Sequence, residues 1–340
     1  MCWCDSAMVF EDPELERLMV NKDDVVNAYR YILGREPESD DVVMTHMSAA
    51  SLEELRIRFL DSQEFSQKYS RSGAVDIEGF MLPQDMPPLS VDIEADPQQM
   101  QALLDRIKRE WEEFGEKDPH WSVLTHASYK KKFISENKSG FFESGRFVAN
   151  IVRAFSDRNG VPVENYRSCF ELGCGVGRIT LHLSQIFESV IGADISKFHL
   201  DVCREELRQN GVKNVSLNCI TDVRQLMELP RFDFFVSMIV LQHNPPPVIK
   251  FILECILDKL NPGGAAVFQV PTYRRSYRFD LSEYIGCPSP LHMEMHVLPQ
   301  SEIFSILNNS RCDLVEVRED GWADGRTPNS LSNTFFVIKK

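Results

Sequence analysis

No run in the chain approaches the ~18 to 20 consecutive apolar residues that cross a bilayer, so no membrane-spanning helix is expected. No CxxC pair occurs among the nine cysteines, which removes zinc-finger spacing. Cys169, Cys219 and Cys255 lie inside apolar runs, where cysteine packs as a small hydrophobe, and Cys2-Trp3-Cys4 reads as a chain end rather than a metal or lipid site. Scattered thiols suit a reducing cytoplasm. Met1-Cys2-Trp3-Cys4-Asp5 has neither the basic nor the apolar part of a secretory signal. A basic surplus is missing too. The net charge is −14, and the first 98 residues hold 21 of the 51 acidic but only 8 of the 37 basic residues. The acidity therefore belongs to the front of the chain, and neither part has the footprint of a nucleic-acid binder. No internal repeat is visible.

What is present is an ordinary globular composition, 43% hydrophobic and 26% charged, over 340 residues. At roughly 150 residues per domain that length suggests about two domains. Residues 1–72 read as an acidic helical module. Val25, Val26, Tyr29, Ile32 and Leu33 recur at helical spacing until Gly34 and Pro37; Val42, Val43 and Met47 suggest a second helix; and Ser51 with Glu54 forms a capping box before Leu55, Phe59 and Leu60. Residues 73–98, with Gly79, Pro83, Pro87, Pro88 and Pro97, read as a linker laid along the next domain. Residues 99–340 read as that domain, with its core sheet in 165–340. A helix over 99–114 and a stripe of Phe147, Ile151 and Phe155 precede strands alternating with helices. The strands are Cys169–Leu172, Ser189–Ala193, Val215–Cys219, Phe232–Leu241 and Ala265–Val270, with a closing pair at Leu314–Val317 and Thr334–Ile338. That alternation predicts an α/β, doubly wound, mostly parallel Rossmann-like sheet of seven strands.

The chemistry-bearing motif is Glu171-Leu172-Gly173-Cys174-Gly175-Val176-Gly177-Arg178, directly after a strand and opening a helix. Glycines allow a tight turn and close ligand approach, and the helix that follows turns its positive end toward the loop. Asp194 ends the next strand, where a carboxylate can accept from both ribose hydroxyls of a nucleoside. A dinucleotide fingerprint would place its third glycine where Arg178 stands, which makes a nicotinamide-dependent oxidoreductase the less fitting reading.

The form ELGCGVG resembles the first motif of class I S-adenosylmethionine-dependent methyltransferases. Gly192-Ala193-Asp194-Ile195-Ser196, Phe232–Ser237 with Leu241-Gln242-His243, and Leu260-Asn261-Pro262-Gly263-Gly264 resemble that family's later motifs in order. The resemblance covers roughly 110–340 and implies S-adenosyl-L-methionine as cofactor. It implies that Gly173, Gly175 and Gly177, with Cys174 in the same loop, line the methionine part; that Glu171 organises the loop or meets the amino group; and that Asp194 binds the ribose. Ile195 would pack on the adenine. Asp222 would face the adenine amino group, although Thr221 replaces the usual glycine and a plain turn aspartate is the alternative. Phe142, Ser144 and Gly145 are candidates for a lid over the cofactor, or for an ordinary helix start at Ser144-Gly145. Residues 22–70, through AYRYILGREP and FLDSQEF, resemble a short bacterial domain of unknown function found beside glycosyltransferases and glycan-modifying methyltransferases.

A hydroxyl acceptor needs its proton removed as it attacks. His243, after the fourth core strand, is the first candidate base, against a simple turn cap; it would titrate near the usual ~6.5. His292, Glu294 and His296 alternate in HMEMH. On a strand they would share one face, able to hold a divalent metal or, better fitting, to form a polar face where His296 touches the acceptor. No metal is expected. Tyr273, Arg274, Arg275, Tyr277 and Arg278 interleave aromatics and cations where a sugar, glycan or other anionic small molecule would enter. The expected function is O-methylation of a sugar or glycan-like acceptor, with a protein partner for the helical module. A cofactor-binding interaction protein without turnover is the other alternative.

Overall fold

In the computed structural model the described residues are 20–62, 64–65, 68, 86–287, 293–323 and 329–340. Cys2-Trp3-Cys4, the first half of the expected linker and His292 lie outside them. The chain divides into two compact units, Met1–Asp76 and Ile77–Lys340.

The first unit is built from α1 (Lys22–Ala28), α2 (Asp40–His46) and α3 (Leu52–Leu60). Asn21, Ser39 and Ser51 cap them, each side chain accepting a backbone N–H of the first turn. The expected capping box at Ser51 closes differently: Glu54 accepts from the Ala50 N–H at 2.7 Å, one residue earlier. A π-helical turn, Tyr29–Leu33, continues α1 until Gly34, in the left-handed region at φ 64°. Val25, Tyr29, Leu33, Val43, Leu55 and Phe59 meet in a core of their own.

The second unit centres on seven strands: β2 (Ser168–Leu172), β3 (Ser189–Asp194), β4 (Val215–Cys219), β5 (Phe232–Ser237), β6 (Leu260–Arg274), β8 (Cys312–Asp320) and β9 (Ser330–Lys339). β1 (Ser90–Val91) and β7 (Arg278–Phe279) form a separate two-stranded ribbon. The sheet order is β4-β3-β2-β5-β6-β9-β8; the first five strands run parallel, and β9 is antiparallel to both its neighbours. This is the doubly wound, mostly parallel sheet expected from the sequence. The strand order leaves β2 in opposite directions, toward β3 and toward β5. Such a switch opens a crevice at the carboxyl ends of the strands.

Successive residues of each strand point to opposite faces, and both faces are covered. Phe170, Phe235, Phe268 and Phe335 lie on one face with ring centroids 5.3 to 6.3 Å apart. They are packed under α4 (Pro97–Lys117), α9 (Pro246–Lys259) and α11 (Gln300–Asn309). Cys169, Phe234, Val267 and Phe336 point the other way, under α6 (Ile134–Arg158). α6 corrects two expectations. Its buried stripe is Val148, Val152 and Phe155, while Phe147 stands outward at 60% exposure. Ser144-Gly145 falls inside this 25-residue helix, not at its start.

Each unit has its own apolar cluster, so a chain beginning at Ile77 is expected to unfold in one cooperative thermal transition. Calorimetry of the full chain against residues 77–340 checks this. A non-cooperative profile from the shorter chain would show that the first unit completes the second.

Candidate active site

β2 ends in the glycine loop, and the loop is held by the end of the neighbouring strand. Gly173 N–H and Cys174 N–H both donate to the Ala193 carbonyl, at 2.7 and 3.0 Å. Gly175 N–H donates to Asp194 Oδ2 at 2.9 Å, and Asp194 Oδ1 accepts from Ser196 N–H at 2.9 Å. Gly173 has φ 72°, and a Cβ there would lie 2.3 Å from Val240, so the turn admits only glycine. Gly177, at φ 86°, backs onto Cys203 instead. Asp194 thus performs structural duty toward two backbone donors while each oxygen retains acceptor capacity.

A cavity of about 1010 Å³, counting its mouth, opens above this loop. Glu171, Gly173, Cys174, Gly175, Asp194, Ile195 and His243 are on its wall, which the sequence picked out. Much of the remaining wall was not legible. Leu104, Ile107 and Trp111 come from α4, Ser122 and Val123 from α5 (Pro119–Val123), and His199 from α8 (Lys197–Gln209). The helical period of α4 was visible, but no local signal says which residues of a helix reach a distant loop. Gly177, Asp222, Phe142, Ser144, Gly145 and His296 are not on the wall.

These off-wall residues have other surroundings. Phe142 C=O meets His182 Nε2 at 2.8 Å, and the Ser144 hydroxyl accepts from Arg178 Nη1 at 3.2 Å. Gly145 lies so close to the loop that a Cβ would sit 1.9 Å from the Arg178 carbonyl. These three buttress the loop from behind. Asp222 caps the 3-10 turn Val223–Glu228, accepting from Arg224 N–H, and pairs with the Arg224 guanidinium. His296 is 5% exposed, ringed by Tyr277, Phe279 and Tyr284, with its Nε2 3.3 Å from the Glu294 carboxylate. Residues 293–299 form no strand: His296 N–H donates to the Gln242 carbonyl and Leu298 N–H to the Pro271 carbonyl, so Glu294 and His296 meet outside the paired strand expected for HMEMH, and His292 lies outside the described residues. Among the described residues no cluster of metal-ligating side chains occurs. Glu294 accepts from Arg106 at 2.6 Å; burial pushes its pKa up, but the bonds from His296 and Tyr284 and the Arg106 charge hold it down at about 2.

The aromatic and cationic loop after β6 is also committed internally. The Tyr273 hydroxyl donates to the Pro87 carbonyl at 3.2 Å, the Tyr277 hydroxyl lies 2.9 Å from His296 Nδ1, and Arg278 pairs with Glu283. This corrects the expectation that these side chains stand open at an acceptor entrance.

Two buried charges face the cavity. Glu171 is 2% exposed and Arg178 4%. Burial lifts the Glu171 carboxyl to about 7, Thr180 and Arg178 pull it back, and Asp194 adds to the rise. Glu171 Oε2 and Arg178 Nε have no hydrogen-bond partner. Buried polar atoms without partners are rare, and here they fit a ligand carrying both charges. His243 is a further titratable group on the wall, with Asp194 and His199. Its Nδ1 lies 2.9 Å from the Glu294 carbonyl, and burial brings its pKa down to about 4; the Glu294 bond opposes that fall and His296 adds to it.

Comparison with known proteins meets this geometry at the same residues. Residues 170–264 match the family model described as a methyltransferase domain. Within the second unit, residues 170–264 are thus similar to a methyltransferase domain, and the glycine loop and Asp194 fall within the matched span. The chain is 24% identical over 183 residues to a tRNA/tmRNA (uracil-C(5))-methyltransferase of a Nitratiruptor species, covering 51% of this chain and 46% of that one. It is 22% identical over 180 residues to a ubiquinone biosynthesis O-methyltransferase of an Azoarcus species, covering 51% and 73%. Among solved structures, magnesium protoporphyrin IX methyltransferase from Synechocystis PCC 6803 with bound S-adenosylhomocysteine is similar at 15% identity and a TM-score of 0.48, over 70% of this chain and all of that one. The chain spans about half the length of the first curated relative it matches. No helix among the described residues is long and apolar enough to cross a membrane.

The Glu171 carboxyl sets a pH test. Its folded value near 7 lies above the ordinary 4.5, so the folded state favours the protonated acid. Stability is then full below pH 4.5 and falls as pH rises through 7, by up to about 3 kcal/mol. Glu171→Gln has no charge to bury. It should flatten that fall, so urea unfolding at pH 5 and pH 8 would give nearly equal stabilities for the variant and unequal ones for the parent.

Proposed function

We propose that this protein transfers a methyl group from S-adenosylmethionine to a hydroxyl of a sugar or glycan-like acceptor. The observation that carries the reading is the cavity at the strand switch, walled at once by the glycine loop, by Asp194 and by His243. When bound, S-adenosylmethionine supplies a methyl group on a sulfonium, ready for in-line displacement. Glu171 and Arg178 would take the ammonium and carboxylate of its amino-acid end. Asp194 would accept from the ribose hydroxyls, and Ile195, Ile220 and Leu226 would give the adenine an apolar wall. Asp222 caps the turn Val223–Glu228 and is not part of that wall.

His243 would take the acceptor proton. Its Nδ1–H is committed to the Glu294 carbonyl, so Nε2 is the basic nitrogen. His296 buttresses the segment that carries that carbonyl. Trp111 stands beside His243, ring centroids 5.2 Å apart, and offers an aromatic face to the apolar side of a sugar ring. The likeness of residues 22–70 to a domain found beside glycan-modifying enzymes supports the same acceptor class, and that acidic unit would dock a protein partner. The many apolar residues around the cavity favour a second acceptor, a hydroxyl on an aromatic or aliphatic body.

Calorimetry with S-adenosylhomocysteine tests the cofactor. Binding is expected, and Asp194→Ala should weaken it about 10- to 150-fold, the loss of a charge-assisted contact of ~1.5 to 3 kcal/mol. Tight NADH binding without S-adenosylhomocysteine binding would overturn the reading in favour of an oxidoreductase. Binding without turnover on any acceptor, glycan or phenolic, would favour an interaction protein.

His243→Ala should lower turnover ~100- to 10,000-fold with unchanged cofactor affinity. The limb of the parent's pH–rate profile belonging to His243 should lie near 4, not 6.5: neutral imidazole is the active form, so the rate falls as pH drops through about 4. A limb near 6.5 would contradict the burial argument.

A further inference from the structure

His243 ends a chain of buried amides whose every orientation is forced. Ile239 N–H can only donate, and it meets Gln269 Oε1 at 3.1 Å. Gln269 is 0% exposed, so its Nε2 has to find acceptors inside the protein; it donates to Gln242 Oε1 at 3.1 Å and to the Ser332 hydroxyl at 2.7 Å. That leaves Gln242 Nε2 as a donor, facing His243 Nε2 at 3.2 Å and Met295 Sδ at 3.6 Å. Turning either amide over would set N–H against N–H somewhere along the chain. At the far end the Glu294 carbonyl can only accept, and it takes the Nδ1 proton. One backbone N–H and one backbone C=O thus determine everything between them.

The starting point is itself unusual. Ile239 has φ 62°, a left-handed conformation that β-branched residues avoid. This conformation directs its N–H into Gln269, and a strained residue persists only where its surroundings hold it.

We infer that Gln242, oriented by Gln269, is the positioning residue that keeps His243 a neutral imidazole with its proton on Nδ1 and its lone pair on Nε2. The inference deepens the proposed role of His243 as base and rests on it for its catalytic meaning. Protonation of Nε2 would bring two donors face to face, so the amide opposes a resting charge on the ring. The Gln242–His243 contact is the longest of the nitrogen and oxygen contacts in the chain, and it is the one that must open when the ring takes a proton. Other groups around His243 cannot replace this control. His296, in the segment 293–299, has its ring nitrogens at Tyr277 and at the Glu294 carboxylate; that carboxylate is paired with Arg106, beside Glu110, from α4. Trp111 stands between His243 and His199 of α8.

The test is histidine nuclear magnetic resonance on the full-length protein with labelled imidazole, the His243 signal assigned by its loss in His243→Asn. The parent should show an Nδ1–H tautomer that stays neutral at pH 6. Gln242→Glu keeps the shape but replaces the donor by an acceptor. It should raise the His243 pKa by at least about two units, ~100-fold in proton affinity, as expected for an imidazole gaining a carboxylate. Gln269→Leu frees Gln242 to turn and should give mixed ring signals; it serves if Gln242→Glu fails to fold. Equal titration of His243 in the parent and a folded Gln242→Glu would overturn the inference, as would an Nε2–H tautomer in the parent. S-adenosylhomocysteine binding by the parent is measured alongside. Its absence would remove the methyltransferase reading, while the imidazole titration would still decide the role of Gln242.

Discussion

One carboxylate ties the nucleotide end of this site together. Asp194 stands at the end of β3 and accepts from Gly175 in the loop after β2 and from Ser196 at the start of α8. Without it the loop would keep the Ala193 carbonyl and the buttress from α6, but lose its tie to the end of β3. Because Asp194 is 9% exposed, its hydrogen bonds form in surroundings where an unmet charge is costly. The loop, the strand end and the helix start are therefore determined jointly. The position read as a ligand contact is also a structural clasp, and the two duties are compatible because a carboxylate accepts more bonds than the backbone here supplies.

The remainder of the cavity separates charge from neutrality. Glu171 and Arg178 lie at the glycine-loop end, buried and each with an unmet polar atom. His199, beside Trp111, is a further wall residue with an unmet buried atom, its Nδ1. At the acceptor end burial lowers the His243 pKa, and an amide chain that runs from Ile239 through Gln269 of β6 ends at its Nε2. Charge at one end suits a zwitterionic group. Neutral polarity against Trp111 and aliphatic side chains suits a hydroxyl whose proton has to leave.

Legibility followed sequence distance. The strand pattern was readable because each strand records its own surroundings: Phe170 and Phe235 toward one face and Cys169 and Phe234 toward the other are all apolar, as in strands covered on both faces. The glycine loop was readable because Gly173 and its neighbours satisfy a local backbone demand. HMEMH was misread because alternation describes a strand only where a partner strand exists, and 293–299 has none. Ser144-Gly145 resembled a helix start, yet Gly145 is small for a different reason, the Arg178 carbonyl pressed against α6. Arg278 read as free because its partner, Glu283, is recognised only once the chain has turned.

The amino-acid sequence by itself determined the doubly wound sheet, the loop and Asp194 at a strand end, since periodicity, glycine and chain direction are local properties. Only the tertiary structure decided which helices wall the cavity, that Asp222 caps a turn off its wall, and that His243 has Nδ1 on the Glu294 carbonyl and Nε2 beside the Gln242 amide. The reason is physical. A tautomer and a lowered pKa depend on which donors, acceptors and apolar groups surround a ring, and for His243 these come from β6, β9 and the segment 293–299 as well as from its own turn. No spacing along the chain encodes such a meeting.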